Sequence, residues 1–146
     1  MKILGFDTAT NWCSIGLIDG EALIGEWTIR CKMTQLTRLV PGIKMLLESK
    51  DIKLSDLACI AVTKGPGSFT GVRLGLVTAR TLSQVTAIDL AGVNSLETLV
   101  YQLGIKEGIT VPMLDARKGE IYAGFYRWKD NKIIQIKESS LYKPVD

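Results

Sequence analysis

The apolar positions at the start of the chain fall into short runs separated by polar breaks. Lys2 to Phe6 ends at Asp7, Trp12 to Ile18 follows the break Thr8-Ala9-Thr10-Asn11, and Ala22 to Ile29 follows Asp19-Gly20, a strong hairpin turn. This pattern predicts three strands in an antiparallel meander. From Thr34 the period lengthens. Leu36, Val40, Ile43 and Leu47 lie on one line with Leu39 and Leu46 beside it, an amphipathic helix to about Glu48. Pro41 inside that pattern should kink the helix or shift its true start. A brief helical or turn segment, Leu54-Ser55-Asp56-Leu57, precedes a fourth strand from Cys59 to Val62. A second helix follows from about Thr70 to Val85, then a strand from Ile88 to Val93, and then a helix from Leu96 to Leu103 that Asn94-Ser95 caps and Gly104 ends.

Three strands followed by helix, strand, helix, strand, helix, with right-handed crossovers between the later strands, define an α/β layout. It is the ribonuclease-H-like arrangement shared by the actin-like ATPase (ASKHA) superfamily, with a mixed five-stranded sheet. The pattern then begins again. Val111 to Leu114 ends at Asp115, Glu120 to Tyr126 is a strand, and Asp130-Asn131 is a turn before Lys132 to Ile136. Setting Asp115 on Asp7 also sets Gly124 on Gly16 without a gap. The expectation is a whole N-terminal lobe over residues 1–104 and a truncated second copy over 105–146, a three-strand meander without its helices.

The fourth strand and second helix are joined by Gly65-Pro66-Gly67-Ser68-Phe69-Thr70-Gly71-Val72-Arg73-Leu74-Gly75. Gly65, Gly67 and Gly71 permit positive φ and close backbone approach, and Ser68 or Thr70 can cap the helix. Such a turn can cradle an anion on helix-terminal amides, or it can simply pack a tight strand-to-helix connection. The spacing fits neither a Walker A loop, which ends Gly-Lys-Ser/Thr, nor G-x-G-x-x-G.

Composition narrows the chemistry. The chain has 146 residues, 47% of them apolar, and 18 basic against 15 acidic side chains give a net charge of +3. That balance does not announce nucleic-acid binding. Cys13, Cys31 and Cys59 lack C-x-x-C spacing and read as reduced, mostly buried small residues. There are no histidines, so Ser-His-Asp and Cys-His catalysis and imidazole metal sites are excluded. No leader-like or membrane-spanning stretch is visible, which makes a cytoplasmic location the expectation, with no membrane partner. A ribonuclease-H nuclease needs converging carboxylates, yet the fourth strand ends Thr63-Lys64. Actin-like ATPases need glycine-bearing phosphate hairpins. Here the corresponding stretches read Asp7-Thr8-Ala9-Thr10 and Asp115-Ala116-Arg117-Lys118-Gly119. Asp7 with Thr8 or Thr10 can hold Mg²⁺ weakly, or the carboxylate can cap the strand-end turn. Asp7, Thr8, Thr10, Gly67 and Ser68 are the candidate nucleotide or anion positions.

The second helix is apolar around most of its circumference. Val72, Leu76, Ala79 and Leu82 form a core face, Leu74, Val77, Thr81 and Val85 extend beyond it, and Arg73, Arg80 and Gln84 leave a narrow polar stripe. Such a helix is covered on both sides, by the first helix, where Met45 lies off the main stripe, or by another subunit.

The segment from Ala61 to Gly75 resembles the signature of the bacterial TsaB (YeaZ) family, and Ile3-Leu4-Gly5-Phe6-Asp7-Thr8-Ala9-Thr10 resembles its opening. Gly92 to Glu97 and Leu114 to Ala123 are similar to further family segments, so the resemblance runs over essentially the whole chain. It implies a non-catalytic scaffold that supports threonylcarbamoyl transfer to adenosine 37 of tRNA. In this role it would pair with the metal-bearing paralogue TsaD, be joined by the ATPase TsaE, and meet tRNA indirectly through the complex. No cofactor is implied. The implied pairing surface comprises Thr34, Leu36, Arg38, Leu39, Met45, Phe69, Arg73, Leu74, Val77, Arg80 and Thr81. Members often begin the first helix with His-Ser, where this chain has Met33-Thr34. The competing readings are an actin-like ATPase or residual peptidase, and a homodimer formed through the same helices.

Overall fold

The computed structural model describes residues 1–31 and 34–143. Strands β1 (Lys2–Asp7), β2 (Trp12–Asp19) and β3 (Ala22–Arg30) are followed by α1 (Gln35–Glu48), β4 (Leu57–Thr63), α2 (Phe69–Thr86), β5 (Asp89–Val93) and α3 (Ser95–Leu103). Strands β6 (Met113–Arg117), β7 (Glu120–Lys129) and β8 (Lys132–Tyr142) close the sequence of elements. The chain forms two compact units. One holds Met1–Lys64 and Ser68–Val93; the other holds Gly65–Gly67 and the chain from Asn94 onward.

The first unit is a mixed sheet in the order β3-β2-β1-β4-β5. β1 pairs antiparallel with β2 and parallel with β4, and β4 pairs parallel with β5. This is the ribonuclease-H-like order that the element sequence predicts. Because directly opposed residues point to the same face, the register aligns Leu4 with Leu17 and Ile60, and Phe6 with Ile15 and Val62. All six are buried, and both helices cover that face. α1 lies on β2 and β3, α2 lies on β4, β5 and β1, and the helices touch. Leu39, Ile43, Leu46 and Leu47 complete the core from α1, as Ala79 does from α2.

Two details of α1 differ from the apolar line in the sequence. Leu39 is fully buried and Val40 is more than half exposed, so the buried stripe runs one position earlier than predicted there. Pro41 does not shift the helix start, which stays at Gln35. Gly42 beside it marks a close approach to the sheet. A Cβ at Gly42 would lie 2.8 Å from both Ile15 and Trp27, so the Pro-Gly step brings the helix backbone close to the sheet.

The second unit is an antiparallel meander, β6-β7-β8, with α3 on one face. α3 packs with this meander although it precedes the predicted divide at 104/105. Its small core comprises Leu96, Val100 and Tyr126, with Leu99, Leu114, Trp128 and Ile133 against them. Asn94 caps α3 by accepting from the Leu96 and Glu97 amides, and Gly104 ends it at φ 71°. The β6–β7 pairing does not follow a gapless repeat of β1–β2. A bulge between Asp115 and Arg117 sets Asp115 opposite Ile121, whereas the repeat would set it opposite Tyr122. β7 and β8 run further than their apolar runs, because the β7–β8 ladder continues past Ile136 through the polar stretch Lys137 to Ser140 and on to Tyr142, while β6 is shifted to Met113–Arg117.

Candidate functional site

The glycine-rich turn and the end of β1 meet in the first unit. Thr8 is buried, and its hydroxyl donates to the Gly71 carbonyl at 2.7 Å. The Ser68 amide donates to the Ala9 carbonyl at 2.6 Å. Between these bonds the backbone of Thr8 lies against α2 so closely that a Cβ on Gly71 would sit 2.0 Å from the Thr8 carbonyl oxygen. A Cβ on Gly75, one helical turn later, would lie 2.7 Å from the Thr8 hydroxyl. Gly71 and Gly75 thus form a groove on α2 that receives the turn after β1. Only glycine permits that approach.

The carboxylate of Asp7 is engaged as well. Its Oδ1 accepts from the Ala9 amide at 3.0 Å and from the Thr63 hydroxyl at the end of β4. Thr10 accepts from the Trp12 amide at 3.1 Å, and its carbonyl receives Gln35 from the first turn of α1. Ser68, rather than Thr70, caps α2, accepting from the Gly71 amide at 3.4 Å. Asp7, Thr8, Thr10 and Ser68 therefore stand together, and each is bonded within the protein. Gly67 belongs with Gly65 and Pro66 to the other unit, where the Gly65 carbonyl accepts from the Ser95 amide.

Inside the sheet, burial, reinforced by Cys31 and Asp7 nearby, pushes the Cys13 thiol up to about 11. Cys13 and Cys31 are free and buried, as their spacing suggests, whereas Cys59 is half-buried.

The predicted pairing residues divide sharply. On α2, Phe69 is 69% and Val77 64% exposed, and Arg73, Arg80 and Thr81 are exposed too. Leu74 is half-buried. The Arg73 guanidinium stacks 3.7 Å above the Phe69 ring, which fixes a flat cationic and aromatic surface at the start of the helix. On α1, Thr34, Arg38 and Met45 are exposed. Leu39 is not available to a partner because it fills the core. The side chain of Leu36 and the departure at Met33 lie outside the described residues. Val40 and Val85 are also exposed apolar positions on these two helices, although the pairing set omits them. For Val85 the signal was its apolar position beyond the core face of α2, whereas the sequence pattern had set Val40 on the buried line.

Fold and site define a ribonuclease-H-like unit in which the strand-end turn is bonded into the fold and apolar side chains stand exposed among charged ones on the outer side of the helices. A family model for TsaD, tRNA N6-adenosine threonylcarbamoyltransferase, matches residues 33–146. The chain belongs to this family, within its TsaB (YeaZ) branch. It is 37% identical over 136 residues to the tRNA threonylcarbamoyladenosine biosynthesis protein TsaB of Bacillus subtilis, covering 93% of this chain and 59% of that protein. It is 33% identical over 147 residues to the TsaB of Escherichia coli, covering 99% of this chain and 63% of that protein. A Pseudomonas aeruginosa protein with similarity to peptidase YeaZ superposes with a TM-score of 0.89 at 26% identity, over 98% of this chain and 67% of that one. The chain thus spans about three-fifths of the length of the curated relatives it matches. Among the described residues, no helix is long and apolar enough to cross a membrane.

Proposed function

We propose that this chain is a non-catalytic activating subunit in the formation of N6-threonylcarbamoyladenosine in tRNA, docking through the outer surface of α1 and α2 onto a TsaD-type catalytic subunit. The observation that carries the reading is that Phe69, Val77 and Val85 of α2 and Val40 and Met45 of α1 are apolar yet exposed, in a helix pair whose other side is already buried in the core. Burying such side chains contributes about 1.5–3 kcal/mol each in the favourable limit, enough for a few of them to anchor an interface.

The turn after β1 supports the non-catalytic part. Asp7, Thr8 and Ser68 hold the fold together and leave little of the hydrogen-bonding capacity that a phosphate loop directs at a nucleotide. We retain the second unit as the beginning of a second, truncated lobe, on the strength of the repeated meander, with TsaE and tRNA reached through the complex in the cytoplasm.

A reconstituted assay tests the role. TsaD, TsaE and tRNA should form the modified nucleoside at a substantially higher rate when this chain is added, and the chain alone should not hydrolyse ATP. ATP turnover by the purified chain that disappears in Asp7→Ala would favour the ATPase reading instead.

A further inference from the structure

On the outer side of α2 the charges are all of one sign. The helix carries Arg73 and Arg80 and no acidic residue. Both arginines are exposed, as is Arg38 on α1. Among the described residues, no ion pair involves any of the three, whereas Lys44 on α1 is already matched by Glu48 at 3.7 Å.

The arrangement along α2 is regular. Phe69, Arg73 and Val77 follow one another at intervals of four, and Arg80 comes three residues after Val77, so neighbours on one line of the helix alternate ring, cation, apolar, cation. The seven residues from Arg73 to Arg80 span roughly 10 Å along the axis. The Phe69 ring takes one face of the Arg73 guanidinium at 3.7 Å, which leaves the N–H groups in the guanidinium plane free for a two-oxygen acceptor.

We propose that the partner surface docking on α2 is acidic, with two carboxylates about 10 Å apart that take Arg73 and Arg80 and an apolar side chain between them that covers Val77. The proposal rests on the α1–α2 docking reading and adds the charge its partner must carry. A second copy of this chain fits poorly, because a two-fold contact through α2 would set arginines against arginines with no acid on either helix to relieve them. A nucleic acid offers phosphates for the arginines but nothing for Val77, which is 64% exposed between them. A protein surface supplies both.

The test is calorimetry of the full chain with TsaD over a salt series. Arg73→Gln combined with Arg80→Gln should weaken binding about tenfold at low salt, and the gap to wild type should close toward 1 M salt, where the screening length falls to about 3 Å. Arg30→Gln combined with Arg127→Gln removes the same charge away from α2 and should bind as the wild type does. Arg80→Gln alone, which leaves the Phe69 stack intact, should show a smaller loss of the same kind. All four arginines are exposed, and thermal midpoints confirm that each variant is folded. The acidic partner is overturned, with docking still standing, if TsaD binds the folded α2 variants as tightly as wild type at low salt while Val77→Glu weakens it. It falls together with the docking reading if the wild type does not bind TsaD at any salt. Self-association or RNA binding that Val77→Glu abolishes would overturn it in favour of the other occupant.

Discussion

The two strand-end aspartates start from the same local chemistry and arrive at different structures. Asp7 ends β1 and accepts from the amide two residues on; Asp115 in β6 does likewise, accepting from the Arg117 amide at 2.7 Å. Beyond that they part. The first turn is clamped, with Thr63 bonded to Asp7, Thr8 buried against Gly71 and Gly75, and the Ala9 carbonyl bonded to Ser68. The second turn is exposed and closes by itself through Arg117, Lys118 and Gly119, all at positive φ. A strand-end aspartate shapes its own turn; the element packed behind it decides whether the turn becomes part of a core. In the first unit that element is α2, and using its inner side in this way leaves Phe69 and Val77 exposed on the outer side.

The strongest way to break the comparison is Gly71→Ala. Alanine gains about 1 kcal/mol in helix propensity, but a Cβ 2.0 Å from a backbone oxygen cannot be accommodated without moving the turn or the helix. A net loss of about 3 kcal/mol or more is expected in chemical denaturation, and a neutral result would show that the turn is not clamped.

A smaller effect separates the two aspartates directly. Asp7→Ala leaves the buried Thr63 hydroxyl without its acceptor and should cost about 1–3 kcal/mol, while Asp115→Ala removes one exposed bond and should cost under about 1 kcal/mol. Equal losses in denaturant midpoint would contradict the asymmetry.

Alkali gives a subtler contrast. Cys13, raised by burial from 9.0 to about 11, holds its proton more tightly in the folded chain than in the unfolded one. Its contribution is therefore complete below pH 9 and lost as pH rises toward 11. Tyr126 in the second unit is raised by burial and by Glu97 from an ordinary value of 10.0, so its loss begins higher. Thermal melts under reducing conditions should show stability declining first above pH 9, and Cys13→Ala should remove that first step.

Much of this organisation is legible in the sequence. Element order, the Asp19-Gly20 turn, the Asn94 cap and the Gly104 stop all follow from local rules, and local rules held because short-range geometry determines them. What periodicity could not assign were positions fixed by tertiary contact. Leu39 and Val40 are both apolar, and only the approach of Gly42 to Ile15 and Trp27 decides which one turns inward. Gly71 was recognisable as a place for close approach, yet its neighbour, Thr8, lies 63 positions away in the chain. Likewise, the Asp115–Arg117 bulge that breaks the gapless repeat has no signature beyond Gly119.

The central claim is that α2 turns its glycine groove inward and its apolar side outward to a partner. The most direct measurement is the affinity of the chain for TsaD, by calorimetry, for the wild type and Val77→Glu, each with its thermal midpoint. Val77 is 64% exposed, so the charge should leave stability within about 0.5 kcal/mol of wild type while weakening binding at least about tenfold. Unchanged affinity in a folded Val77→Glu chain would contradict the account.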